Sequence, residues 1–176
     1  DYKETFGSFD TYNFEAWLEK LNKSEYNDVF ECLQLNQNGY ELLIRYGLAE
    51  MQAGMWDDPN SIYRECRSLV IDLFNDAIIV APFRKFFNLD EVEENKLANV
   101  QKELANAKIV EFSDKKDGSM QSARWYNNEI KMYGSMALKA EDSWRLADGY
   151  SKLTDNHENM IQQNPEYTFI FEYISL

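Results

Sequence analysis

Histidine is almost missing from this chain: His157 is the only one in 176 residues. It sits in a polar helical or loop segment, which leaves no basis for a histidine-led mechanism. Cysteine is nearly as scarce. Cys32 and Cys66 lie far apart, match no metal-ligand spacing, and read as reduced thiols of a cytosolic protein. Three prolines and seven glycines make no Pro/Gly/Ser linker. With no internal repeat or low-complexity tract either, one continuous structural unit is expected. No apolar run approaches the length of a membrane span and no signal-peptide pattern opens the chain, so no membrane contact is expected. The first residue is Asp1 rather than Met, as in a processed or trimmed chain.

Positive charge is also in deficit, 18 basic residues against 31 acidic ones, for a formal net charge of −13. A general electrostatic grip on nucleic acid normally shows as a basic domain, and this balance argues against one. It leaves room for a local basic pocket that holds a small phosphate ligand. A hydrophobic share of 44%, with 15% aromatic residues, is too rich for a disordered protein and supports a sizeable core.

Periodicity along the chain predicts an α+β fold, with antiparallel sheets and flanking helices. Asn13 to Leu21 reads as a short amphipathic packing helix. Asn38-Gly39 precedes an extended run from Tyr40 to Arg45. Arg67 to Leu73 and Ala77 to Phe83 form a hairpin about Phe74-Asn75-Asp76. Glu91 to Ala107 has helical spacing with an acidic start that suits the helix dipole. Lys108 to Phe112 reads as a strand, and Met120 to Tyr126 and Glu129 to Tyr133 as a hairpin about Asn127-Asn128. Lys139 to Leu153 reads as a helix. Asn164-Pro165 ends the helical region, and Tyr167 to Ile174 is a final strand.

Four blocks carry chemistry. Ser113-Asp114-Lys115-Lys116-Asp117-Gly118-Ser119 offers a lysine, a spacer, an aspartate and a glycine at an expected strand-to-strand turn. A deprotonated lysine amine can attack phosphorus, and a glycine lets backbone pass close to a phosphate. The same residues also make an ordinary turn. Arg64-Glu65-Cys66-Arg67-Ser68 stands before the strand Leu69-Val70-Ile71. Arg67 there can grip a phosphate bidentately, while Arg64 reads as a surface arginine paired with an acid. Pro82 to Leu89 sets Lys85 among aromatic residues, its stem packed on rings, either in a cleft or at the rim of a core cluster. In Thr168 to Ile174, alternation puts Glu172 opposite Phe169, Phe171 and Tyr173. A carboxylate on so apolar a strand calls for a cleft, a hydroxyl, a metal or a cation, the competing reading being a solvated edge strand.

In this order the blocks Glu65-Cys66-Arg67, Pro82 to Glu91, Lys115 to Ser119 and Phe169 to Tyr173 resemble an ATP-dependent RNA ligase, of the phage type that repairs broken tRNA. The resemblance runs from about Tyr40 to the end of the chain. It implies a nucleotidyltransferase domain of ATP-grasp-like ligase form, using ATP and Mg²⁺. Lys115 would take AMP from ATP and pass it to an RNA 5′-phosphate, which a 3′-hydroxyl then displaces. Arg67 and Lys85 would contact the triphosphate or its leaving group. Glu172 would bind a ribose hydroxyl or serve the metal-dependent steps. Asp117 and Gly118 would shape the nucleophile loop, and Tyr46 aligns loosely with a nucleotide-contacting tyrosine. The implied partners are RNA ends, nicked tRNA among them. A free lysine, of pKa about 10.4, is neutral only about once in ~2,500 molecules at pH 7, so nearby cations such as Lys116, Lys85, Arg67 or Mg²⁺ would have to favour the amine.

Two departures from the family pattern stand out. Related ligases carry a lysine before a downstream Gly-Ser pair, where this chain has Tyr133-Gly134-Ser135, with Lys131 two residues earlier and its role open. The later acidic and lysine-containing motifs have no counterpart after Glu172. The expectation is therefore that residues 1–176 form the N-terminal part of an adenylyltransferase domain, weakly active or inactive alone. The same lysine chemistry also serves DNA ligases and capping-type guanylyltransferases. An acidic, aromatic-rich protein-interaction module with an incidental Lys115 turn is the non-enzymatic alternative.

Overall fold

Alternating apolar residues and short turn signals build two antiparallel sheets. The computed structural model describes residues 19, 32–47 and 54–175. The helix expected at Asn13 to Leu21 lies outside these residues, apart from Glu19. The first sheet contains β1 (Leu33–Asn38), β2 (Glu41–Tyr46), β3 (Arg67–Asp72) and β4 (Ala77–Val80), in the order β1-β2-β3-β4. The second contains β5 (Ser119–Tyr126), β6 (Glu129–Gly134) and β7 (Phe169–Tyr173), in the order β6-β5-β7. This is the expected α+β architecture. Among the described residues no helix is long and apolar enough to cross a membrane.

The turns follow from their residues. Asn127 and Asn128 both adopt positive φ, 51° and 65°, between the paired residues Tyr126 and Glu129. That is the two-residue hairpin geometry whose twist matches the strands, and asparagine tolerates it best after glycine. In the β3–β4 connection, the Asp72 carboxylate accepts hydrogen bonds from the backbone N–H groups of Phe74 and Asn75, at 2.9 and 2.8 Å. It also accepts the Asn75 side-chain amide at 2.7 Å and the Tyr126 hydroxyl at 2.8 Å. These four donors let a carboxylate lie fully buried with no cation paired to it among the described residues.

The core lies between the sheets. Leu43, Val70, Ile79 and Val80 of the first sheet pack with Tyr133 of β6 and Leu138 beyond it. On the second sheet, Ala123 and Met132 pack with Ala137, Leu146 and Ile161. The last two come from α2 (Trp144–Ser151) and α3 (Asp155–Gln163), preceded in the chain by α1 (Leu97–Asn106). Ser143 caps α2, and Thr154 and His157 form a reciprocal capping box at the start of α3. His157 is thus occupied by a structural task. Across the outer edge of the sheets, Arg124 of β5 donates to the Pro165 carbonyl at 2.7 Å and to the Ile78 carbonyl of β4 at 2.9 Å. Ala81 N–H donates to the Thr168 hydroxyl at 3.0 Å nearby.

Three expected elements differ. Lys108 to Phe112 forms no strand: the chain runs unpaired from Ala107 to Gly118, with Ile109 79% and Phe112 93% exposed. Strand-like residues make a strand only where a neighbour supplies hydrogen bonds and an apolar face, and no described strand lies alongside. The helix expected over Glu91 to Ala107 is confined to α1. Lys96 is extended, with ψ 141°, so Glu93–Asn95 forms a separate 3₁₀ turn and no acidic residue occupies the first turn of α1. The helix expected over Lys139 to Leu153 likewise splits at Ser143, whose extended backbone separates a 3₁₀ turn at Ala140–Asp142 from α2.

Candidate active site

At one end of the molecule, the starts of β3 and β5 meet the ends of β6 and β7. They enclose a cleft of about 720 Å³ lined by Arg67, Lys115, Lys116, Asp117, Gly118, Ser135 and Glu172, with Phe83, Phe86 and Phe171 as apolar walls. Its size falls within the ordinary range for small-molecule sites. Four of the sequence-predicted residues therefore share the cleft with Lys115: Arg67, Asp117, Gly118 and Glu172. They come from three separate blocks of the chain, which the two sheets bring together.

Arg67 opens β3 and lies with its guanidinium 4.2 Å from the centre of the Phe86 ring. Its Nη1 is buried and has no hydrogen-bond partner among the described residues. A guanidinium at the wall of a cleft with donor capacity not taken up by the protein is suited to an anionic ligand. Its neighbour Ser68 has φ 64°, a left-handed conformation that is costly for a residue with a Cβ. Ser68 is held there by donating its hydroxyl to the Ser135 carbonyl at 2.8 Å. This link ties the start of β3 to the end of β6 and fixes where Arg67 begins.

Lys115 stands in the unpaired stretch before β5, rather than at a strand-to-strand turn. Lys116 pairs with Asp114 at 3.0 Å. Gly118 has no positive φ; the turn reason for a glycine does not apply. Its Cα instead faces the Tyr173 carbonyl of β7, where a Cβ would overlap the oxygen. Close backbone approach is thus what this glycine permits. It lets β5 pair with β7 from Ser119 onward, opposite Tyr173, and this register puts Met120 opposite Glu172.

Lys85 is placed elsewhere. Its ammonium lies 3.7 Å from Glu91, donates to the Phe86 carbonyl at 3.2 Å, and sits 4.6 Å from the centre of the Phe87 ring. It does not line the cleft, and of the two expectations the rim of an aromatic cluster describes its position. Glu91 is held below its usual carboxylate range, first by the Asn88 backbone N–H and also by Lys85. Arg64 is paired with an acid as expected, but it is buried at 2% exposure rather than at the surface. Its Nη1 meets Glu94 at 2.6 Å and its Nη2 meets the Trp56 carbonyl. Tyr46 packs edge-on against Trp56, ring centres 5.0 Å apart, and borders a small annex behind Arg67.

Lys131 is held by Glu41 at 3.0 Å and Glu129 at 2.7 Å, away from the cleft. Burial alone would lower its pKa, but the hydrogen bonds to Glu129 and Glu41 outweigh it and hold it raised. It does not line the cleft, and the Tyr133 ring is fully buried between the sheets. Burial, and then the Glu41 carboxylate, push the Tyr133 hydroxyl far up.

Sequence reading missed Arg45 and Ser135. Arg45 ends a strand-like run just before Tyr46, and only the cross-strand register reveals its partner. Ser135 borders both the cleft and the annex, and the Gly134-Ser135 pair was its signal.

Among the described residues no group of three or more His, Cys, Asp or Glu gathers to hold a metal. Asp114, Asp117 and Glu172 are the carboxylates that line the cleft, and Asp114 is already paired with Lys116. Such a set fits a Mg²⁺ carried mainly by phosphate oxygens, with one or two carboxylates completing its shell. The Arg67 guanidinium and the cleft volume fit the phosphates themselves.

No curated protein matches the chain. Residues 65–175, more than half of the chain, match a family model described as RNA ligase. That span begins at Glu65-Cys66-Arg67, includes the Lys115 segment and the cleft, and ends just after β7, so the chain belongs to the RNA ligase family.

Proposed function

We propose that this RNA ligase uses ATP to join an RNA 5′-phosphate to a 3′-hydroxyl through AMP carried on Lys115. The observation that supports this reading is the convergence of Lys115, Arg67 and Glu172 on one cleft, from blocks spread over more than half of the chain.

In the first step the neutral Lys115 amine attacks the α-phosphorus of ATP. A P–N bond forms, the bond to the β-phosphate oxygen breaks, and pyrophosphate leaves with the electron pair. In the second, an oxygen of the RNA 5′-phosphate displaces the lysine and takes the AMP. In the third, the 3′-hydroxyl attacks the 5′-phosphorus, AMP leaves, and a phosphodiester remains.

The protein contributes positioning and fixed charge, which carry most of phosphoryl-transfer catalysis. Arg67, at the wall of the cleft, holds phosphate oxygens with its guanidinium. Glu172 takes a ribose hydroxyl, and Asp117 with Gly118 sets the path of the backbone past Lys115. Phe83 and Phe86 give the cleft apolar surface. A bound Mg²⁺ would neutralise polyphosphate charge here. Lys85 is committed to Glu91 and the rings, so in this arrangement the phosphate contacts fall to Arg67. RNA repair, with nicked tRNA among the substrates, and a reducing cytoplasm that suits two buried cysteines complete the reading.

The test is incubation of the full-length protein with α-labelled ATP and Mg²⁺. A covalent, acid-labile label lost in Lys115→Ala is expected. Label that survives this substitution overturns the assignment.

A further inference from the structure

Behind Arg67 the cleft continues into an annex of about 180 Å³, bordered by Arg45, Tyr46, Arg67, Ser68, Met120 and Ser135. Arg45 and Arg67 are direct cross-strand partners in β2 and β3, at the position where the register slips by one residue. Like charges directly opposite one another destabilise a sheet. Among the described residues no carboxylate lies within 4.0 Å of either guanidinium, although the chain carries 31 acidic residues.

The contacts Arg45 does make are weak ones. Its Nε donates to the Tyr46 carbonyl at 3.3 Å and its Nη1 reaches the Ser135 carbonyl at 3.5 Å. Most of its donor capacity is unused, as is the buried Nη1 of Arg67. An unneutralised pair that costs stability, in a hollow continuous with the reaction cleft, is explained by an anion that both arginines bind.

We propose that Arg45 is a further phosphate-binding residue of this site, a second cation that holds the departing pyrophosphate in the annex together with Arg67. The assignment rests on the ATP-dependent reading above. A leaving diphosphate carries more charge than one guanidinium can offset, and the bulged β2–β3 pair presents two forks of donors to it. The annex opens off the cleft at Arg67, Met120 and Ser135, which border both. Neither Lys115 nor Glu172 lines the annex, and an in-line displacement expels its leaving group away from the attacking amine.

The test measures inorganic pyrophosphate binding by calorimetry in wild type, Arg45→Gln and Arg45→Lys, each checked for an unchanged circular dichroism spectrum. Arg45→Gln is expected to weaken pyrophosphate about tenfold or more, Arg45→Lys less, and neither to change AMP binding beyond about twofold. The competing anion is the RNA 5′-phosphate. Arg45→Gln should therefore leave the sealing of pre-adenylated RNA unchanged in the full-length protein, and slow Lys115 adenylation from ATP. Pyrophosphate affinity that ignores Arg45, or sealing that falls with it, overturns the proposal. Arg45-dependent pyrophosphate binding without any Lys115 adduct would instead overturn the adenylation reading and leave an anion pocket of another enzyme.

Discussion

Gly118 and Tyr173 approach so closely that the Tyr173 carbonyl occupies the space a side chain at 118 would need, with Glu172 Cγ only 3.2 Å from the same point. The Lys115 segment is thereby seated against the strand that carries Glu172. Gly118→Ala must push β5 and β7 apart where their pairing begins. We expect a loss of about 1–3 kcal/mol in stability by urea unfolding. Adenylation at 25 °C should fall by more than the unfolded fraction explains, since a displacement of about 1 Å at the reacting groups costs roughly a hundredfold. Unchanged labelling would show that the contact does not position Lys115.

The Tyr126 hydroxyl closes the set of donors around Asp72. Burial, then the Asp72 carboxylate, push its pKa from the ordinary 10 up to about 12. A raised folded-state pKa stabilises the fold fully below the unfolded value and loses that contribution as pH rises through 12. Tyr126→Phe should cost about 1–2 kcal/mol at pH 7, the ring being partly exposed. It should also remove part of the decline in stability between pH 10 and 12. Parallel unfolding curves for the two proteins across that range would contradict this.

Lys131 and Glu41 form a partly buried pair, and Lys131→Met leaves the Glu41 carboxylate buried without its cation. A stability loss of about 2–3 kcal/mol is expected, at the low end for such pairs because Lys131 retains some solvent and Glu129 is exposed. Full adenylation by the folded fraction should remain. A specific loss of adenylation with intact stability would return Lys131 to the substrate.

Burial, and then Glu65, raise the Cys66 thiol to about 11. At pH 8 roughly one thiol in a thousand is then ionised, and the sulfur is also shielded. Iodoacetamide should leave Cys66 unmodified in the folded protein and label it within minutes in 6 M urea, as peptide mass spectrometry would show. Rapid labelling of the native chain would mean that the start of β3 opens.

Much of this fold was legible because its turns announce themselves. Asn127-Asn128 and Phe74-Asn75-Asp76 fixed two hairpins, and period-two runs fixed their strands. Lys108 to Phe112 misled for a physical reason: its residues suit a pleated surface, yet composition does not say whether a partner strand lies beside it. The breaks at Lys96 and Ser143 were hidden because both sit within good helical spacing. Lys115, Arg67 and Glu172, which line one cleft, could be singled out from the order of their blocks rather than from any one motif. Arg45 could not, since its meaning lies in a bulged register with Arg67, and register is a relation between strands. Arg64 shows the same limit, its acidic partner expected and its burial unseen.

Arg124 never enters the cleft, yet it spans the two sheets whose ends form the walls. It grips carbonyls on both sides, at Ile78 and at Pro165 just before β7. Arg67 and Glu172 ride on opposite jaws of that brace. The spacing of the two walls is therefore held at two places, by Arg124 and by the Ser68–Ser135 link, and the run before Gly118 is the part of the cleft wall that belongs to neither sheet.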